Sequence, residues 1–309
     1  MGMSMAPIPD SSDLPGTQER RSVVVNAMSV DVEDYYQVSA FEPFVPRNQW
    51  TSFAPRVVSN TERVLELFEK AGIRATFFVL GCVAERHPTL IRRIVASGHE
   101  LASHGYEHRR VSEQTPATFL ADAARTKTLL EDIGSTEVKG YRAASFSINR
   151  RNWWAFAGLV NAGYTYSSSV NPIRHDHYGE PGAPRHSFKP WPHEFIEIPI
   201  TTVDIAGRRF SCGGGGFFRL LPYRWSHWAI SRVNHREIRP AIFYFHPWEI
   251  DPGQPRIEQA SLKSRLRHYT NLGIMEAKVE RILQDFRWGR IDDVFLGLAA
   301  SDLTSWPGP

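Results

Sequence analysis

Cysteine is scarce in this chain of 309 residues. Cys82 and Cys212 are too few for the disulfide framework of a small secreted protein, and they fit a reducing compartment. No apolar run approaches the about 20 residues that a membrane-spanning helix requires. Residues 1–21 are rich in Pro and Ser and lack the apolar centre of a secretory signal. We therefore expect a disordered leader over 1–21, no integral membrane segment and a cytoplasmic location.

Excess charge and a phosphate-binding loop are also missing. The formal net charge is +3, which is small for this length and gives no argument for nucleic acid. The four glycines at 213–216 are not followed by the Lys-Ser/Thr pair of a nucleotide-binding loop. We predict instead a flexible or tightly turned hairpin at this glycine run.

Two histidines and a separate cluster of acids indicate a metal site. His104 and His108 are four residues apart, the spacing that places two side chains on one face of a helical turn. The acids Asp31, Glu33 and Asp34 close an apolar run far upstream. Two histidines and one carboxylate can hold a catalytic zinc-type ion and leave a position open for water.

A third histidine, His246, ends another apolar run. Hydrolysis would also need a base and an acid, and a carboxylate and a histidine that do not bind the metal can fill these roles. The acid cluster and His246 both lie where predicted strands end, which is where α/β barrels place their chemistry.

Short apolar strands alternate with amphipathic helices along most of the chain, which indicates a mainly parallel sheet. We expect a long structured loop at 171–200 and a basic helical segment with a solvated face at 261–286. We predict strands at 22–30, 75–80, 99–102, 138–142, 164–167 and 241–245, and helices at 60–71, 89–96, 117–132 and 152–162.

Four short motifs resemble those of the NodB-homology polysaccharide deacetylases, carbohydrate esterase family 4, over roughly residues 23–248. They are DVED at 31–34, SHGYEH at 103–108, GYRAAS at 140–145 and FH at 245–246. A closer resemblance is to a subfamily that is encoded beside exosortase and PEP-CTERM exopolysaccharide genes. The strings that carry it are DVEDYYQV at 31–38, GYRAASFSI at 140–148, IRHDHYG at 173–179, CGGGGFFRLLP at 212–222 and FYFHPWEIDP at 243–252.

The resemblance implies an α/β fold, namely a distorted (β/α) barrel with fewer than eight strands. It also implies a hydrolase that removes N-acetyl groups from a GlcNAc-type sugar with the help of a divalent metal, for which zinc is the expected ion. In the family pattern Asp31 matches the general base, Arg142 the residue that orients this base, and His246 the acid that protonates the leaving amine.

The metal carboxylate has two candidates, because the usual adjacent Asp-Asp pair of the family becomes Asp31-x-Glu33-Asp34 here. Glu33 shares a face with Asp31 if the strand continues, whereas Asp34 is the alternative if the strand breaks into a turn. The resemblance gives His104 and His108 as the other ligands of this metal.

The resemblance further implies one deacetylase domain with a C-terminal extension over 22–290, and a tail at 291–309. The expected partner is an N-acetylated polysaccharide or oligosaccharide, including a lipid-linked precursor, with peripheral contact to a membrane export complex at the inner membrane face. Two alternatives stay open. One is a metal-free, allantoinase-like cyclic amidohydrolase, since relatives with altered acids share this spacing. The other is a catalytically silent glycan-binding protein of an export complex.

Overall fold

The computed structural model describes residues 24–175, 178–190, 192, 194–297 and 303–307. The predicted leader at 1–21 lies outside these residues. The strands are β1 (Val25–Val32), β2 (Thr76–Val79), β3 (Glu100–Ser103), β4 (Gly140–Tyr141), β5 (Tyr166–Ser167), β6 (Phe188–Pro190), β7 (Ile196–Glu197), β8 (Thr202–Ile205), β9 (Arg208–Ser211), β10 (Ile242–Phe245), β11 (Arg287–Gly289) and β12 (Thr304–Trp306).

The helices connect these strands and cover the sheet. They are α1 (Val57–Ala71), α2 (Gly81–Arg86), α3 (Pro88–Ala96), α4 (Pro116–Gly134), α5 (Ala155–Asn161), α6 (Gly215–Leu220), α7 (Tyr223–Arg236), α8 (Leu262–Tyr269), α9 (Leu272–Asp285) and α10 (Ile291–Phe295). Short 3-10 helices lie at Arg47–Ser52, Val111–Glu113, Ala144–Phe146 and Pro247–Ile250. None of the described helices is long and apolar enough to cross a membrane.

A largely parallel sheet forms the centre of the fold. Its strand order is β10-β1-β2-β3-β4-β5-β7-β6-β12, and β11 pairs with the first half of β1. The strands from β10 to β7 in this order pair in parallel, and β6 then runs antiparallel to β7. The predicted α/β class and mainly parallel sheet are confirmed.

The first strand, β1, is buried on both faces from its second residue onward. Helices cover both faces of a parallel sheet, which explains the nearly continuous apolar run of this strand. The charged side chains lie at its carboxyl end, at Asp31 within the strand and Glu33 just after it, and both are almost fully buried. Buried charge is costly unless it is paired, so these two acids at the edge of the sheet require charged or hydrogen-bonding partners nearby.

The glycine run at 213–216 is not the hairpin that the sequence suggested. Gly214 has φ +110° and forms a bridge with Tyr244 of β10. A Cβ atom at Gly214 would come within 1.9 Å of the Tyr244 carbonyl oxygen, so a side chain does not fit there. Gly215 then begins α6. The glycine run therefore allows the backbone to approach β10 closely at Gly214, and a helix begins directly after it.

The C-terminal region is partly as the sequence predicts, since the basic segment 261–286 is helical. The basic segment 261–286 forms two helices, α8 and α9, which are separated at Asn271 with its left-handed φ of 64°. Within the predicted tail, Ile291 and Phe295 are buried against the sheet, and β12 pairs with β6. These parts of 291–309 are therefore integrated in the fold.

Candidate active site

Asp31 and Arg142 form a buried ion pair at the carboxyl ends of β1 and β4. The Arg142 guanidinium is fully buried, and its Nη1 donates to Asp31 Oδ1 at 2.6 Å. Arg142 also donates to Ser29 Oγ, to Ser168 O and to Ser168 Oγ. The ring of Phe78 lies 4.0 Å from its Cζ atom. Because these partners satisfy a desolvated guanidinium, Arg142 is held rigidly and in turn orients Asp31.

Glu33, His104 and His108 come together beside this ion pair. One potential ligand atom of each lies within 4.8 Å of those of the other two. His108 Nε2 is 3.1 Å from Glu33 Oε2, and all three side chains are buried. Glu33 Oε2 has no hydrogen-bond partner among the described residues although it is buried. The buried Glu33 carboxylate and the two imidazoles that face it together form a set of donors typical of a metal site.

The two histidines are neutral in this environment, which is the form that binds metals. Burial lowers the pKa of His104 and lowers that of His108 well below its usual value. His104 Nδ1 lies 2.8 Å from the carbonyl oxygen of Arg142. A carbonyl oxygen can only accept, so Nδ1 carries the proton and Nε2 keeps its lone pair for the site.

The pair His104 and His108 does not lie on a helical turn, contrary to the interpretation of its spacing. Residues 104–110 form an irregular loop after β3. Gly105 has φ 75° and His108 has φ 50°, and these left-handed residues break any helix and fold the loop back. The two rings end 5.2 Å apart. The prediction that the two side chains are neighbours is right, but the reason given for it is wrong.

Asp34, the alternative metal carboxylate, lies elsewhere. Its Oδ2 accepts from the backbone N–H groups of Arg56 and Val57 at 2.8 and 3.0 Å, and its Oδ1 accepts from that of Tyr35. These bonds satisfy free N–H groups at the start of α1, where a negative charge is also favourable. The structure thus directs Glu33, and not Asp34, toward the histidines, because the chain turns after β1 and Glu33 N bonds to Asp31 O.

His246 lies opposite the histidine pair, at the end of β10. Its Nε2 is 3.5 Å from Glu33 Oε1 and 4.0 Å from Asp31 Oδ2. Its Nδ1 is 3.0 Å from Glu249 Oε2. Burial alone would lower the pKa of His246, but the nearby Glu33 and Glu249 carboxylates outweigh this effect and raise it to about 9. His246 therefore carries a proton that it can donate at neutral pH.

Glu249 is held in place by a second cation, Arg219. Arg219 Nε donates to Glu249 Oε1 at 3.0 Å, and the remaining guanidinium N–H groups donate to backbone carbonyl oxygens around the end of α8. Glu249 is fully buried, which would raise its pKa, but His246 and Arg219 lower it to about 2. Glu249 is therefore a carboxylate that fixes the His246 ring through Nδ1.

Sequence reasoning did not identify Glu249, Arg219 or the tryptophan of this region. Trp248 Nε1 donates to Glu33 Oε1 at 3.2 Å, and its ring stacks on that of His246 at 5.1 Å. All three lie within strings that carry the subfamily resemblance, at 212–222 and 243–252, but the resemblance assigned them no role. Arg219 is 30 residues from Glu249 in sequence, and no local pattern connects the two.

Burial raises the pKa of Glu33 to about 7, although His246 and the Trp248 N–H oppose this effect. A proton or a cation is thus required to stabilise the Glu33 side chain in this position. Two neutral imidazoles and a buried carboxylate with an unpartnered oxygen fit a divalent ion of the zinc type. The residues present therefore fit the metal that the sequence led us to expect.

The α/β fold and the clustered acids and histidines are typical of a hydrolase, and two family models match parts of the chain. Residues 50–166 match the model described as "Polysaccharide deacetylase". Residues 168–296 match a domain of unknown function, DUF3473. His104, His108 and Arg142 lie in the first region, whereas His246 and Glu249 lie in the second. The site is thus built from both.

Curated relatives agree with the first model. The chain is 28% identical over 150 residues to a chitooligosaccharide deacetylase of Bradyrhizobium sp. (strain ANU 289), covering 40% of this chain and 68% of that protein. It is 28% identical over 113 residues to a peptidoglycan deacetylase of Helicobacter pylori, covering 35% of this chain but only 36% of that protein.

A solved structure supports the fold over most of the chain. This structure, assigned provisionally as a polysaccharide deacetylase of Mycobacterium smegmatis, aligns with a TM-score of 0.61 over 92% of both chains at 17% sequence identity. The chain contains a polysaccharide deacetylase domain of the NodB-homology type, carbohydrate esterase family 4. It is accordingly an enzyme of the hydrolase class that acts on non-peptide carbon–nitrogen bonds.

Proposed function

We propose that this protein is a divalent-metal-dependent N-deacetylase that acts on GlcNAc-type residues of an exopolysaccharide or of its lipid-linked precursor. The observation that carries the proposal is the convergence of three groups. They are the candidate metal ligands around Glu33, the Asp31 carboxylate held by Arg142, and the His246 imidazole held by Glu249.

Asp31 is the proposed base. Hydrolysis of an acetamide requires a water proton to be removed as the water oxygen attacks the carbonyl carbon. One carboxylate oxygen of Asp31 is fixed by Arg142, while the other, Oδ2, lies 4.0 Å from His246 Nε2. The base is therefore placed by a rigid contact and needs no rearrangement before it accepts the proton.

His246 is the proposed acid. Its ring is partly exposed, unlike those of His104 and His108, so that a bound substrate can reach Nε2. Glu249 accepts a hydrogen bond from Nδ1–H, which leaves Nε2–H to donate its proton to the leaving nitrogen. Donation of this proton turns the departing nitrogen into a free amine, without which the acetamide bond would re-form.

Glu33, His104 and His108 would hold the metal, for which we propose zinc. When bound, such an ion polarises the acetamide carbonyl and lowers the pKa of water, so that attack proceeds near neutral pH. Glu33 contributes the anionic ligand, and the Trp248 N–H fixes its second oxygen. The Arg142 carbonyl group orients His104.

The substrate class is inferred from the relatives, whose names specify chitooligosaccharide and peptidoglycan as substrates. Both polymers contain N-acetylated aminosugars. That this enzyme works on an exopolysaccharide, belongs to the exosortase-associated subfamily, contacts a membrane export complex and resides in the cytoplasm all stay predictions from the sequence.

Acetate release tests the proposal. Protein purified without a histidine tag is incubated with zinc and with N-acetylglucosamine oligomers of one to five units, and with allantoin as a control from the alternative class. We expect acetate from the oligomers, no turnover of allantoin, and about one metal ion per chain by elemental analysis. Faster turnover of allantoin than of any glycan would favour the cyclic amidohydrolase, and binding without any turnover would favour the silent glycan-binding protein.

A further inference from the structure

One side of helix α7 exposes large aromatic side chains that take no part in the candidate active site. Trp228 of α7 is 43% exposed, and Phe210 of the neighbouring strand β9 is 41% exposed. The ring of Trp225 joins them, with its centroid 5.4 Å from that of Trp228 and 6.1 Å from that of Phe210. The three rings therefore form one continuous aromatic patch at the protein surface, which is a feature typical of interaction sites.

Arginines surround these rings. Arg224 and Arg232 lie four residues before and after Trp228, so the three side chains share one side of α7. The Arg232 Cζ atom lies 6.0 Å from the centroid of the Trp228 ring. Arg208 lies two residues before Phe210 and therefore on the same face of β9. We call Arg208, Phe210, Arg224, Trp228 and Arg232 together the α7 surface.

The positive charge of the α7 surface is not neutralised within the described part of the chain. Helix α7 contains three arginines, two histidines and no acidic residue, and β9 contains two arginines and no acidic residue. Arg208, Arg224 and Arg232 form no ion pair with a described acid. The acids around this surface are bound by other groups, namely Asp204 by the Gly207 N–H, Glu237 by Arg185 and His186, and Asp285 by the Tyr223 hydroxyl.

A partner for the α7 surface must supply negative charge for the arginines and an apolar layer for the rings. An anionic phospholipid membrane has both, because its phosphate groups bind arginine while tryptophan and phenylalanine favour the boundary between headgroups and acyl chains. A second copy of this chain fits poorly, since two-fold symmetry would place the arginines against the same arginines. A neutral N-acetylated glycan would leave the arginines without an anion.

We infer that the α7 surface binds the protein to the surface of an anionic phospholipid membrane. None of its residues belongs to the metal-type ligands or to the pairs around Asp31 and His246, so this binding does not depend on the proposed catalytic activity. Its consequence is to hold the enzyme on a membrane, where a lipid-linked precursor would also lie.

Vesicle sedimentation with the full chain tests this inference. The probes are vesicles of equal parts phosphatidylglycerol and phosphatidylcholine, and vesicles of phosphatidylcholine alone, each at low and at high salt. Trp228→Ala removes the central ring, and Arg224→Glu reverses one charge. The matched controls are Val160→Ala, at an exposed apolar position of α5, and Arg92→Glu, at an exposed arginine of α3. A thermal melt of each variant controls for folding.

We expect binding to the anionic vesicles alone, and we expect high salt to weaken it. Trp228→Ala and Arg224→Glu should each lower the partition coefficient about five- to tenfold, while both controls match the unaltered protein. Vesicle binding by a protein that releases no acetate would support the membrane surface and reject only the proposed deacetylase activity.

Three results would overturn the inference. They are equal binding to both kinds of vesicle, binding to neither kind, and a loss in the controls as large as that in the two variants. Sedimentation velocity adds a further check on the occupant of this surface. A dimer of the unaltered protein that Trp228→Ala abolishes would assign the α7 surface to contact between copies of this chain and reject the membrane as its partner.

Discussion

The pairing of Asp31 with Arg142 determines what the centre of the site can do. Arg142 is fully buried, and its guanidinium nitrogens donate hydrogen bonds to Asp31, Ser29 and Ser168. A carboxylate fixed in this way, beside a separate set of metal-type ligands, is suited to accept a proton and not to bind the ion.

Substituting Asp31→Asn should therefore separate turnover from metal binding. We expect kcat for acetate release to fall by about 10²- to 10⁴-fold, the usual contribution of a general base. Metal content should remain at that of the unaltered protein, because Glu33, His104 and His108 are unchanged. Elemental analysis and acetate release on the same sample check both expectations, and a thermal melt controls for folding. Retention of the full rate would remove Asp31 from the mechanism.

His246 depends on Glu249 for its orientation, and this gives a second prediction. Glu249→Gln should lower kcat about 10- to 100-fold, as for other residues that orient a functional imidazole, with little change in KM since Glu249 does not contact solvent or substrate. Glu258→Gln, at an exposed position, is the matched control. A loss confined to KM, or an equal loss in the control, would contradict a positioning role for Glu249.

Single residues also show where sequence reasoning stops. Asp31, Glu33, His104, Arg142 and His246 could be proposed because each lies at or just after the end of an apolar strand. Parallel strands bring such ends together. The choice of Glu33 over Asp34 required the backbone turn after β1, and the orienting carboxylate required the packing of distant chain segments, which no local pattern encodes.

At the scale of elements, Asp34 joins the end of β1 to the start of α1. Its carboxylate accepts from the N–H groups of Arg56 and Val57, which have no partner within the helix. The side chain therefore works as a capping group supplied from outside the helix, and it also secures the turn that places Glu33.

Two neighbouring substitutions should consequently have different effects. Asp34→Ala should lower the free energy of unfolding by about 1–2 kcal/mol, the cost of losing a helix cap, and should leave metal bound. Glu33→Gln should lose metal without a comparable loss of stability, because Glu33 Oε2 has no partner to lose. Urea unfolding and elemental analysis distinguish the two, and metal loss in the Asp34 variant alone would reverse the assignment.

Other elements were predictable to different degrees. Strands β1, β2, β3 and β10 follow from apolar runs, and α1 from its apolar face and the left-handed Gly72 after its last residue. The short strands β6 and β7 within the predicted loop could not be seen, because two or three residues carry no periodicity. The break between α8 and α9 lies at Asn271, without a proline or glycine at that position.

For the molecule as a whole, a buried acid near the end of the parallel run links stability to pH. Glu197 of β7 accepts from the backbone N–H groups of Ser169 and Val170 and from the Ser167 hydroxyl. Burial raises the pKa of Glu197 from 4.5 to about 7, although these hydrogen bonds oppose the effect. The folded state thus keeps a proton that the unfolded chain has already released.

The protonated Glu197 side chain therefore makes its full contribution to the free energy of unfolding below pH 4.5. This contribution is lost as the pH rises through about 7. The Glu197→Gln variant lacks this pH dependence. Its free energy of unfolding relative to that of the unaltered protein should therefore rise by up to about 3 kcal/mol between pH 4.5 and about 7. Urea unfolding of both proteins at a series of pH values measures the difference. Parallel stability curves would contradict the raised pKa.

The most direct test of the central claim is a metal titration of acetate release. Protein stripped with a chelator is mixed with increasing zinc, and acetate from the N-acetylglucosamine tetramer is measured at each ratio for the unaltered chain and for His104→Ala. His235→Ala, at an exposed position, is the control. The predicted result is a rate that rises to a plateau at about one ion per chain in the unaltered and control proteins and stays at background in His104→Ala. A full rate in the stripped protein, or one that is independent of His104, would contradict the claim.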